Sequence, residues 1–218
     1  MSSAVYIYAS FVCAVTGFLC WRFLLPYLRI FPFFILGSGI CEYVGKTMGD
    51  NRQPNTLLYN YLSTAEFTFY LFLISFMIVN RKVKAIVWTL VVAYPIYSLL
   101  NIYLVQGPYT FHTFSYCTGC LLMVLVCVYY FYELFQLPET LNLLRQPAFW
   151  ICSGLLIFCT VSFPLIGLTN YIYRISPIII LNLRLILNLM NTMLFAMFTV
   201  SFLCRLKNTR KPVLRTNG

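Results

Sequence analysis

Three charged side chains, Glu42, Glu66 and Arg184, sit inside long apolar runs of this sequence. A charge inside a membrane-spanning helix is costly and usually faces a bundle interior or a wet cavity, so each one marks a candidate ligand site. Residues three and four apart share one helix face. Asn55, Tyr59, Ser63, Glu66 and Tyr70 follow steps of four, four, three and four, and Arg184, Asn188 and Asn191 follow four and three. Both stripes are expected to face protein rather than lipid. If they face each other, Glu66 or Glu42 can offset Arg184 through a charge-assisted hydrogen bond.

Further polar groups join this set: Asn101 with Tyr97 and Tyr94, and His112 with Tyr116. The candidate ligand-binding residues are therefore Glu66, Arg184, Asn188, Asn191, Tyr59, Glu42 and Asn101. The competing reading treats such groups as interhelical glue worth about 0.6 kcal/mol each, with a Glu–Arg pair that only fixes register. Glu42 also has a local partner in Lys46, four residues on.

Other chemistry is poorly represented. Cys117 and Cys120 have dithiol spacing, but no βαβ context surrounds them and the chain has nine cysteines, mostly in apolar runs, so packing is the expected role. His112 is the only histidine and has no second metal ligand nearby in sequence, which points to an interfacial hydrogen bond. The lysines, Lys46, Lys82, Lys84, Lys207 and Lys211, fall at helix ends or in loops, where a retinal Schiff base cannot form. Asp50 is the only aspartate, and neither an intramembrane protease signature nor a phosphate-cradling glycine loop is present. No enzyme, metal or cofactor is expected.

The elements that must position these residues follow from composition. With 61% hydrophobic and 9% charged residues over 218 positions, the chain is far from the roughly 25% charged of soluble domains. Its net charge of +10 is spread between apolar runs rather than gathered into a nucleic-acid-binding stripe. A helix crossing a bilayer needs about 20 mostly apolar residues. Seven such runs are predicted, at Ala4–Leu25, Leu28–Lys46, Thr56–Val79, Val83–Val105, Thr113–Phe135, Ala148–Asn170 and Pro177–Cys204. Turn chemistry separates them, from Pro26 and Gly49-Asp50-Asn51 to Ser176-Pro177, where Ser176 reads as an N-cap. The expected fold is an all-α seven-helix bundle over residues 1–204 with a basic tail, 205–218, that touches anionic headgroups.

Met1-Ser2-Ser3 carries no basic residue, so the first helix is expected to be retained rather than cleaved. Orientation follows from short-loop cations. An external amino terminus leaves Arg22, Arg29, Arg81, Lys82, Lys84, Arg145, Arg205, Lys207, Arg210, Lys211 and Arg215 inside, against Lys46, Arg52 and Arg174 outside. On that orientation Arg184 lies roughly 10 Å and Glu66 roughly 15 Å below the outer helix ends. Pro95 and Pro164 each remove a helix hydrogen bond and are candidate hinges.

The external amino terminus, short loops, aromatic-rich helices and internal tail resemble the seven-helix sensor modules of bacterial receptors, which usually precede intracellular signalling domains. Tyr130-Phe131-Tyr132-Glu133-Leu134, Pro138-Glu139 and Asn142 through Ile151 are similar to the loop between the fifth and sixth helices of stand-alone members. The resemblance implies a sensor in the cytoplasmic membrane. No catalytic domain follows Cys204, so its signal would pass to a separate cytoplasmic or membrane protein. A small solute transporter and a purely structural membrane subunit are the alternatives. A transporter predicts polar groups continuing to the inner face, and a sensor predicts a cavity closed near the midplane.

Overall fold

The computed structural model describes residues 5–136, 143–172 and 177–208. Among them there is no strand, and seven α-helices follow in order: α1 Val5–Leu19, α2 Phe31–Asp50, α3 Thr56–Ser75, α4 Arg81–Leu100, α5 Thr113–Phe135, α6 Pro147–Ile172 and α7 Pro177–Asn208. Five segments are long and apolar enough to cross a membrane: Pro26–Asp50, Arg81–Val105, Thr113–Phe135, Pro147–Gly167 and Asn182–Cys204. Ser176, Arg174 and the tail beyond residue 208 lie outside the described residues.

The boundaries differ from the expected runs for identifiable reasons. The first helix stops at Leu19 rather than Leu25, and the chain continues through single 3-10 turns at Trp21–Phe23 and Pro26–Leu28. Pro26 has no N–H to donate and disfavours helical backbone at Leu25, which is extended at φ −61° and ψ 149°. The fourth run keeps its length, but its last turn, Asn101–Val105, is π-helical. Helix α3 is not among the five apolar segments because its polar stripe lowers its hydropathy. Ser63 and Tyr70 of that stripe are buried and Asn55, Tyr59 and Glu66 are half-buried, while Asn60, Thr64 and Ser75 add further buried polar groups to α3.

Helices α1, α2, α3, α5, α6 and α7 pack each against the next and close into a ring through α1 and α7, while α4 stands outside, leaning mainly on α3. Helix α4 accordingly buries only Val87, Tyr94 and Ser98. In the five apolar segments only 28% to 39% of the most apolar stretch is covered by protein, leaving the remainder for lipid.

Lipid is as apolar as leucine, so close backbone approach and aromatic packing must hold the helices together. Gly17 on α1 provides such an approach: a Cβ there would stand 2.6 Å from Pro32 Cγ of α2 and 2.9 Å from Phe202 Cε2 of α7. In the middle of the ring Phe31 meets Phe198 at 4.8 Å and Phe202 at 5.5 Å between ring centroids, both edge-on, and Phe34 stacks on Phe69 at 3.8 Å. Leu71, Ile74, Met123, Cys127, Ile151 and Leu155 belong to the same buried cluster. This apolar middle separates the two ends of the bundle.

At the end carrying the α3–α4 turn, Glu133 near the end of α5 accepts the backbone N–H groups of Val79 and Asn80, both at 2.9 Å. Asn80 then caps α4, its side chain accepting from Lys82 N at 2.9 Å. Two successive carboxylate and carboxamide caps thus satisfy donors that begin a helix with no intrahelical partner.

Candidate functional site

The opposite end of the ring is hollow. A cavity of about 750 Å³ is bounded by α1, α2, α3, α5, α6 and α7, within the 300–1,000 Å³ typical of small-molecule pockets. The α2–α3 connection contributes Gly49, Asp50 and Asn55 at its mouth.

One wall is acidic. Ser38 Oγ on α2 donates to Glu66 Oε1 on α3. One turn further along α2, Glu42 Oε2 accepts from the Tyr6 hydroxyl of α1 at 2.9 Å. Tyr59 reaches the same carboxylate from α3. Its ring lies over Gly45, where a Cβ would meet Tyr59 Cζ at 2.9 Å, so a larger residue would have to displace the end of the Tyr59 side chain. Asn55 Nδ2 donates to the Gly45 carbonyl at 2.8 Å and fastens α3 to α2 at the rim.

The facing wall belongs to α7 and carries Arg184, Asn188 and Asn191. Asn191 Nδ2 donates to the Leu187 carbonyl at 3.1 Å. Arg184 is exposed and has no carboxylate partner among the described residues. The expected offset of Arg184 by Glu66 or Glu42 is therefore replaced by another arrangement: each carboxylate takes a hydroxyl donor from its own side of the cavity. The two stripes line one cavity without pairing their charges.

Six of the seven candidate residues, Glu66, Arg184, Asn188, Asn191, Tyr59 and Glu42, share this lining. Asn101 does not. It belongs to the turn that ends α4, outside the ring, and its Nδ2 donates to Ser115 Oγ at 2.6 Å and Gln106 Oε1 at 2.8 Å. Tyr6 and Ser38 escaped the sequence reading, since the first is a single tyrosine among many. Ser38 had a usable signal, because it precedes Glu42 by one turn on the same face.

Behind the cavity His112 forms a separate clasp. Its Nε2 is 2.7 Å from Ser63 Oγ of α3 and its Nδ1 is 3.2 Å from Ser98 Oγ of α4. Asn60 completes it, accepting from His112 N at 3.1 Å and donating to Thr110 O at 2.9 Å. The clasp ties α3, α4 and the loop before α5 together, and burial pushes the imidazole down to about 4. Cys120, by contrast, is fully buried in the core, and Cys117 lies 3.8 Å from the Phe163 carbonyl.

Among the described residues no three His, Cys, Asp or Glu side chains are grouped to hold a metal. The arrangement is one that binds: hydroxyls, carboxamides and opposed charges around a space of ligand size. Fold and cavity together define a multi-pass helical membrane protein with a polar chamber at one end. No protein-family model, curated protein or solved structure matches the chain.

Proposed function

We propose that the protein is a seven-span membrane sensor whose chamber opens to the external side and whose ligand-induced repacking is read by a separate partner protein at the internal side. The short-loop cations support this orientation, since Arg22, Arg29, Arg81, Lys82, Lys84 and Arg145 all lie at the end away from the chamber. The cytoplasmic membrane and the resemblance to bacterial sensor modules belong to the same reading. In it, α1 completes its crossing through the 3-10 turns that follow it, because 15 helical residues alone rise only about 22 Å.

The observation that carries the reading is the floor of the chamber. One turn below Glu66, Tyr70 is buried with its ring 5.9 Å from Phe198, and the Phe31, Phe198 and Phe202 cluster continues the seal. A transport path needs polar groups through that layer, and a sensor needs none. Ligand binding would favour one of two packings of the ring, with the Pro164 helix and the peripheral Pro95 helix as moving parts. The basic Arg81, Lys82 and Lys84 cluster offers the surface for the partner.

Proteoliposomes loaded against a panel of radiolabelled solutes test this. A sensor binds a solute without accumulating it. Uptake that appears with the wild type and vanishes with Glu66→Gln would replace the sensor with a transporter.

A further inference from the structure

We infer that the chamber receives a small zwitterion, with its cationic group held between Glu42 and Glu66 and its anionic group at Arg184. This rests on the chamber being a ligand site, as proposed above, and adds the chemical class that the site selects.

Glu42 and Glu66 are on the α2–α3 wall, one helical turn apart through Ser38 and Glu42, and accept hydroxyl donors from Tyr6 of α1 and Ser38 of α2, while Asp50 lies at the mouth. The guanidinium is on α7, across about 750 Å³ of space, with no carboxylate partner among the described residues. Charges facing a chamber within a membrane bundle are costly when left unpaired. A ligand bearing both signs satisfies both walls at once. Lys46 and Asp50, near the α2–α3 connection, add one charge of each sign and leave the balance unchanged, so a simple cation would meet Glu42 and Glu66 but be repelled by Arg184, and a simple anion would meet Arg184 but be repelled by the carboxylates.

The lining refines the fit. Tyr6 and Tyr59 stand beside Glu42, Tyr116, Phe111 and Phe158 also line the chamber, and electron-rich aromatic faces favour ammonium groups. On the α7 side Asn188 and Asn191 add carboxamides to a guanidinium whose planar fork matches a carboxylate. The preferred ligand therefore has an amine or quaternary ammonium and a carboxylate, as in free amino acids and betaines.

Full-length protein in nanodiscs can be melted with each of the common L-amino acids and glycine betaine, with their methyl esters and N-acetyl derivatives where these exist, and with uncharged amides and sugars. At least one zwitterion should raise the melting temperature in a saturable way, and its ester and N-acetyl forms should bind at least tenfold more weakly. Arg184→Gln and Glu66→Gln should each weaken that binding at least tenfold. Arg184→Gln is the safer variant, since the exposed guanidinium makes no ion pair on which the fold depends. Blocked derivatives binding as well as the parent zwitterion overturn the proposal. Stabilisation by uncharged solutes alone also overturns it while leaving the chamber as a ligand site. Stabilisation by nothing in the panel overturns both the zwitterion and the ligand-site reading.

Discussion

Tyr6 of α1 donates its hydroxyl to Glu42 Oε2 of α2 at 2.9 Å, so the first helix of the chain helps to hold a carboxylate at the chamber wall. This bond does two things at once. It closes the ring on its acidic side, and it occupies a lone pair that would otherwise face the cavity unsatisfied.

Removing the donor should therefore cost stability. Tyr6→Phe is expected to lower unfolding stability in detergent by about 0.5–1.5 kcal/mol, the usual net worth of a hydrogen bond, since this one is only part-buried at the chamber wall. A double-mutant cycle with Glu42→Ala, which removes the acceptor, separates the bond from the ring packing. Strictly additive effects of the two substitutions would show that the bond contributes nothing.

The His112 clasp predicts a pH dependence. Burial lowers the folded-state pKa from an ordinary 6.5 to about 4, so on acidification the opened loop takes up a proton before the closed one does. The stability of the clasp is fully present above about pH 6.5 and is lost as pH falls towards 4, at a rate of order 1 kcal/mol per pH unit. His112→Gln keeps hydrogen-bonding capacity for Ser63 and Ser98 without titrating there. Its melting temperature should fall less than that of the wild type between pH 6.5 and 4; parallel curves would remove His112 as the cause.

Two glycines should respond in opposite ways. Gly17→Ala puts a methyl group against Pro32 and Phe202 at under 3 Å, and forcing α1 away from α2 and α7 should destabilise by about 1–3 kcal/mol. Gly37 on α2 has open space around its Cβ position. Gly37→Ala should be neutral or stabilising by up to about 1 kcal/mol through helix propensity. Thermal melts of the two variants decide the matter, and equal losses would contradict the close approach.

Glu133 should matter more than its position near a helix end implies. Its two oxygens satisfy consecutive backbone donors at Val79 and Asn80. Glu133→Ala is expected to destabilise by about 1–3 kcal/mol and to speed hydrogen exchange at residues 79–84. Unchanged exchange at those amides would show that the cap is dispensable.

Much of the helical layout was legible in sequence, because apolar run length and turn residues act locally. Pro26, Gly49-Asp50-Asn51 and Gly107-Pro108 separate helices wherever the chain folds. The polar stripes were legible for the same reason: Tyr59 and Glu66, or Arg184 and Asn188, share a face by helical period alone. The early stop at Leu19 was missed because the residues up to Leu25 stay apolar, and hydropathy does not distinguish an α-helix from the 3-10 turns that follow it here.

What the period cannot encode is which stripe meets which neighbour. Only the tertiary packing placed α4 outside the ring, so that Asn101 serves a turn while Glu42, from a helix with a weak polar signal, stands in the chamber. Only packing gave Glu66 to Ser38 and Glu42 to Tyr6 instead of Arg184. The physical reason is that a lone charge specifies a need for a partner and not its identity. The partner is selected by how closely the helices approach, and that is set by small residues such as Gly17 and Gly45 and by the aromatic layer beneath the chamber.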